Sequence, residues 1–170
     1  GILLWLLASG LRMIRAQEGK VLNVSDDSVL NVSDDLVLNV AEESAGWIAL
    51  PNTGEVLAQV SGDAQIVGVR FAGLEIAQGA QIVNAYVQFT ASQVSTETTS
   101  LTIQGQAADD ATTFVSVTNN LSSRPRTAAS VSWEPPPWTD VGAVGSAQRT
   151  PNLATVIQEV VDRPGWAAGN

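Results

Sequence analysis

The sequence predicts an all-β protein, an antiparallel β-sandwich with one short α-helix near residues 151–162. Three observations predict it. Apolar and polar residues alternate at period two through most of the chain after Gly46. Glycine- and asparagine-bearing turn signals punctuate those runs. A single segment near the end of the sequence changes to helical spacing. Period-two alternation marks strands with one face buried and one face wet, the pattern of antiparallel sheets packed face to face.

The strands follow in order. Val56, Ala58 and Val60 alternate with polar partners. Val67, Val69 and Phe71 do the same, with Gly68 and Arg70 facing away. The longest line is Val83, Ala85, Val87, Phe89 and Ala91, backed by Asn84, Tyr86, Gln88 and Thr90. Leu101, Ile103, Gly105 and Ala107 form another, and Val131 and Trp133 a shorter one before Pro135-Pro136-Pro137. Turns are expected at Asn52-Thr53-Gly54, Ser61-Gly62-Asp63 and Gln78-Gly79. Arg70, on a strand, is expected to face an acid across the sheet.

The helical segment opens at Thr150-Pro151, where the threonine can cap free N–H groups and proline suits the first helical position. Leu153, Val156, Ile157, Val160 and Val161 then form one apolar face. Arg163-Pro164-Gly165 stops the helix, and Trp166 is expected to plug the core.

The N-terminal part reads differently. Ile2 to Leu7 is an uninterrupted apolar run, followed by Ala8-Ser9-Gly10. This pattern fits the end of a secretory signal, so residues 1–17 are expected to be a partial signal peptide or apolar leader. The run is shorter than the roughly 20 residues a spanning helix needs, which argues against a membrane span. Residues 18–45 carry an octapeptide repeat: Val-Leu-Asn-Val begins at Val21, Val29 and Val37, with acidic pairs Asp26/Asp27, Asp34/Asp35 and Glu42/Glu43. The repeat reads as a solvated, duplicated segment with weak strand character, or as stacked acids able to hold calcium. Asn23, Asn31 and Asn120 sit in Asn-x-Ser sequons, relevant only in a eukaryotic secretory pathway. Residues 46–170 form the expected folded module.

Composition narrows the chemistry. The net charge is −9, with Lys20 the single lysine. Such a surface repels phosphate backbones and anionic lipid, which argues against nucleic acid and membrane partners. The chain has no histidine and no cysteine. That removes the Ser-His-Asp triad, the imidazole base, the thiolate nucleophile, the disulfide and the usual zinc ligands. Carboxylate chemistry and oxygen-ligated calcium remain. No glycine-rich phosphate loop or nucleotide motif occurs.

Several ordered motifs then match a known pattern. Val67-Gly68-Val69-Arg70-Phe71 resembles a "VGLRF" strand, Ile76 to Ile82 an "IPQGATI" turn, and Ala85-Tyr86-Val87-Gln88-Phe89 an "AYIQF" strand. Leu101 to Ala107, Ser123-Arg124-Pro125-Arg126-Thr127 and Val131-Ser132-Trp133 follow, and Gln148 to Trp166 fits RTPxLxxxIQEIVxRPGW. Residues 64–170 thereby resemble a family of β-sandwich modules of large secreted bacterial proteins, and more loosely the DNRLRE-type carbohydrate-binding modules. Ala77 stands where the family's turn has proline. The resemblance implies a jelly-roll or carbohydrate-binding-module-like sandwich whose closing strands lie beyond Asn170, so that this chain is a C-terminally truncated module. It also implies an exported location and other domains in the same parent chain.

Candidate site residues follow from residue type. Trp133 and Trp138 flank Glu134 and three prolines; their faces could stack on sugar rings or pack locally. Arg124 and Arg126 flank Pro125 and could clamp an acidic sugar or phosphate, or pair with nearby acids and carbonyls. Asp109 and Asp110 could ligate calcium, or cap the following turn. As a glycosidase pair they fail, because neighbours on a strand point to opposite faces. The expected role is therefore non-catalytic: an accessory or adhesion module binding extracellular polysaccharide. The alternatives are a structural spacer or surface-display domain with no small ligand, and a fragment of a larger secreted hydrolase. No catalytic residue and no obligatory cofactor is expected.

Overall fold

The computed structural model describes residues 2–9, 37–42, 46–51, 55–61, 64–91, 94, 99–115 and 119–170. Among the described residues, eight strands form two antiparallel sheets. They are β1 (Ile2–Ser9), β2 (Val37–Glu42), β3 (Gly46–Pro51), β4 (Glu55–Ser61), β5 (Ala64–Phe71), β6 (Ile82–Gln88), β7 (Ser100–Gln106) and β8 (Arg126–Trp133). One sheet has the order β4-β5-β1-β7-β8, the other β3-β2-β6. One helix, α1 (Ala154–Val161), contacts β6, β7 and β8. The all-β expectation with a single short helix is met. The expected turns at 52–54 and 62–63, Lys20, Asn23, Asn31 and the first two octapeptide units lie outside the described residues.

The apolar run at the start of the chain is the middle of the larger sheet. β1 pairs with β5 from Ile2↔Phe71 to Ser9↔Ala64, and with β7 from Leu4↔Gly105 to Ser9↔Ser100. Its first side chains explain why the run is not alternating. Ile2 and Leu4 belong to the main core, while Leu3 belongs to a second cluster with Ile66, Ala111, Phe114 and Leu121. A strand covered on both faces needs apolar residues at consecutive positions.

The second cluster corrects one expectation. Gly68 and Arg70 do not face water. Two stretches, 107–115 and 119–125, cover that face, and a Cβ on Gly68 would come within 2.9 Å of Leu121 and 3.0 Å of Phe114. Glycine is the residue that lets the covering side chains approach the strand. Arg70 donates from Nε to the Ala111 carbonyl, which ties the covering segment to β5. In register, Glu55 of β4 lies opposite Arg70.

The main core draws on both sheets and the helix. β5 supplies Val67, Val69 and Phe71, β7 supplies Leu101 and Ile103, and β6 supplies Ala85 and Val87. Val156, Ile157, Val160 and Val161 of α1 are buried in it, as expected from their spacing. Val83 departs from the expected line: it is exposed and Ile82 is buried instead. The register between β2 and β6 shifts at Ala41/Glu42, so that Ala41 faces Asn84 and Glu42 faces Ile82. Such an irregularity inverts which residues face the core.

The helix starts later than Thr150-Pro151 suggests. Leu153 is its N-cap, and no side chain caps it. Thr150 and Asn152 serve the sheet instead. Val87 N donates to Thr150 Oγ1 and Ala85 N to Asn152 Oδ1, both at 3.0 Å. Thr150 N donates to the Val87 carbonyl at 3.1 Å and Leu153 N to the Ala85 carbonyl at 2.7 Å. The Gln148–Leu153 segment thus satisfies the outer edge of β6 before the helix begins.

The buried position of β1 yields a test. Leu4→Ala removes a fully buried side chain and should cost roughly 2–5 kcal/mol in urea unfolding. An unchanged midpoint would show that β1 is dispensable to the fold, as a detached leader would be.

Candidate functional site

Trp133 ends β8 with its side chain in the main core, 6% exposed. It stacks on Phe89 with ring centroids 5.4 Å apart and planes at 26°. Trp138 lies on the other side of the proline run and is 8% exposed. Its ring centroid is 6.1 Å from that of Phe89, and its Nε1 donates to the Ala147 carbonyl at 2.9 Å. Phe89 is the common neighbour, so the three rings form one packed group. Of the two readings of these residues, sugar stacking and local packing, this geometry agrees with packing: both tryptophans are buried. Burial of large aromatic surface with the indole N–H satisfied is what a core position requires.

Arg124 is a hub for the covering segment. Nε donates to the Asn120 carbonyl (3.0 Å), Nη1 to the Thr112 carbonyl (2.7 Å) and Gln106 Oε1 (3.2 Å). Nη2 donates to the Thr113 carbonyl (2.8 Å) and Asn120 Oδ1 (3.2 Å). A guanidinium has five N–H donors, and each of these contacts uses one. Its Cζ also sits 5.2 Å from the Phe114 ring centroid. A clamp for an anionic ligand would need those donors turned outward; they hold a loop. Arg126 begins β8, half-buried, with Gln106 as its register partner across the β7–β8 irregularity.

Asp109 is held by the end of the chain. Arg163 Nε donates to its Oδ1 at 2.7 Å, and Asn170 Nδ2 donates to its backbone carbonyl at 2.8 Å. The ion pair is partly exposed, with side chains 35% and 46% accessible, so it contributes on the order of 0.2–1 kcal/mol. Asp110 is exposed. Among the described residues no group of three or more acidic side chains gathers to hold a metal ion. Asp109 faces the Arg163 guanidinium rather than a neighbouring carboxylate.

The Arg163-Pro164-Gly165-Trp166 stop is a latch on two loops. Trp166 is buried and its Nε1 donates to the Ile76 carbonyl at 2.9 Å. Leu74 N donates to the Asn170 carbonyl (3.0 Å), and Gly169 N to the Leu74 carbonyl (2.7 Å). A Cβ at Gly165 would lie 2.2 Å from Asp109 Oδ2, so a larger residue there would displace that carboxylate from Arg163.

Two groups were not singled out from the sequence. On the outer face of β6, Arg149 Cζ lies 4.3 Å from the Tyr86 ring centroid, and its Nε donates to Gln88 Oε1 at 3.1 Å. The alternation of β6 marks Tyr86 and Gln88 as outward residues, but nothing local brings Arg149 to them. On α1, Glu159 accepts from Ala128 N and Ala129 N, both at 2.8 Å, across the edge of β8. A carboxylate on two adjacent amides is a charge-assisted tie between helix and sheet.

No known protein family, curated protein or solved structure matches the chain. Among the described residues, no helix is long and apolar enough to cross a membrane.

The latch predicts non-additive stability. Gly165→Ala should lose up to about 1 kcal/mol in the native background, because the Asp109 carboxylate must swing away from Arg163 to make room. It should lose clearly less in an Asp109→Ala background, because residues in contact couple. Equal losses in both backgrounds, measured by urea unfolding, would contradict the close approach.

Proposed function

We propose that the chain is a non-catalytic β-sandwich module of jelly-roll type, belonging to an exported bacterial protein and serving as a structural spacer or display domain. The observation that carries this reading is the engagement of the candidate ligand residues in packing. Trp133 and Trp138 are buried, Arg124 braces a loop, and Asp109 is paired with Arg163. A surface built for a small ligand needs a few polar or aromatic groups converging on open space. The core shared by both sheets supports the sandwich architecture. The absence of histidine and cysteine supports a non-catalytic role. Export rests on the likeness of residues 64–170 to modules of secreted bacterial proteins; Ile2–Ser9 belongs to the sheet as β1 and does not support it.

Polysaccharide binding is the second reading, and one observation favours it. Tyr86, Gln88 and Arg149 form an aromatic–polar group on the outer face of β6. An aromatic ring flanked by hydrogen-bonding side chains suits a sugar ring at a surface. It would replace the tryptophans as the binding face.

Affinity electrophoresis of the folded chain against acidic and neutral polysaccharides, with and without calcium, separates the two readings. A spacer migrates unretarded in all of them. Retardation by one polymer that disappears in Tyr86→Ala would overturn the spacer reading and establish the outer face of β6 as a binding surface.

A further inference from the structure

The proline run that follows β8 is held at both ends by the core. Trp133 and Trp138 are buried, and both pack on Phe89. The Trp138 indole is fixed further by its bond to the Ala147 carbonyl. Between these anchors the backbone has little freedom. Proline fixes its own φ near about −65°, and a residue before proline is driven out of the helical region into the extended one. Glu134, Pro135 and Pro136 each precede a proline, and no peptide bond among the described residues is cis. Residues 134–137 therefore form a turn of polyproline II helix, which is left-handed with about three residues per turn. Among the described residues no backbone hydrogen bond engages them, and this helix needs none.

Burial follows the same period of three. Pro135 is half-buried, and Trp138, three residues on, is buried. Glu134 and Pro137 are exposed, and so are Pro136 and Thr139. One edge of the three-sided helix thus lies against the protein, and the other two face solvent.

We propose that this helix is the element the module displays: a docking site for a protein domain that reads polyproline II in an aromatic-lined groove edged with basic side chains. The inference rests on the display reading of the module. Grooves of this class gain from a segment that is ordered beforehand, because its ordering cost is not met on binding. Here the two buried tryptophans and the prolines have ordered it. The basic edge follows from the charges beside the run. Glu134 and Asp140 are exposed on either side of it, and Glu134 has no cationic partner among the described residues. The chain as a whole carries a net charge of −9. A basic groove meets complementary charge at this site, whereas an acidic one is repelled.

The test titrates the full chain, observed by NMR, with single domains of the SH3, WW and EVH1 classes, each a reader of polyproline II. At least one is expected to shift the Glu134, Thr139 and Asp140 amides. Its affinity should fall at least about tenfold when Pro136→Ala and Pro137→Ala are combined, since the freed segment must then be ordered on binding. It should also fall with added salt and in Glu134→Lys, which leaves the prolines in place. The Trp138 indole proton reports whether each variant keeps its anchor; where the proline variant loses that signal, Glu134→Lys decides alone. No shift at those amides with any of the three domains at about 1 mM, or undiminished affinity in the folded variants, overturns the proposal. Neither result alters the polysaccharide electrophoresis that decides the spacer reading.

Discussion

The free edge of β6 is the seam on which the rest of the molecule depends. A strand at a sheet edge leaves a row of N–H and C=O groups that must find partners. Here Gln148 to Leu153 supplies them, with Thr150 Oγ1 and Asn152 Oδ1 standing in for backbone acceptors. That pairing fixes where α1 begins, and the apolar face of α1 is buried in the main core. Gln158 extends the seam by accepting from Ile82 N and donating to the Ala80 carbonyl. Glu159, one residue further, reaches the opposite sheet at β8. One short helix thus ties both sheets together, and the stop after it carries Trp166 and Arg163 to their own partners.

The same economy explains why the residues of greatest chemical interest are not at a surface. The chain is poor in aromatic residues, and its tryptophans at 133, 138 and 166 are all core members. Two of them satisfy the indole N–H on a backbone carbonyl, as buried indoles generally do. The arginine and aspartate that could have met an anion or a cation brace irregular backbone instead. The stretches 107–115 and 119–125 cover a sheet face as irregular backbone, and side-chain donors satisfy several of their carbonyls. Arg124 does this for the carbonyls of Thr112, Thr113 and Asn120.

Much of the fold is legible in the sequence because alternation and helical spacing are local. The lines through Val67 to Phe71, Ala85 to Ala91 and Leu101 to Ile103 follow from their residues alone, as does the buried face of α1. The failures have physical causes. An uninterrupted apolar run serves equally as a leader or as a strand covered on both faces, so Ile2 to Leu7 does not announce β1. The register shift opposite Asn84 exchanges Ile82 for Val83, and no nearby residue marks it. Thr150 reads as a helix cap because its partner on β6 is distant in sequence. The candidate site was least legible: residue type names Trp133, Trp138 and Arg124, but exposure is a tertiary property. Nothing near Asp109 in the sequence points to Arg163, and the Arg-Pro-Gly-Trp stop gives no hint that its glycine lies against Asp109.

The central claim is that the aromatic residues near the proline run are structural. Hydrogen exchange of the indole N–H groups, followed by NMR after transfer to D2O, tests it most directly. Trp138 and Trp166, bonded to the Ala147 and Ile76 carbonyls, should exchange slowly, at rates set by opening of the fold. Exchange of the Trp138 indole at the rate of a free indole would place that ring at the surface and contradict the claim.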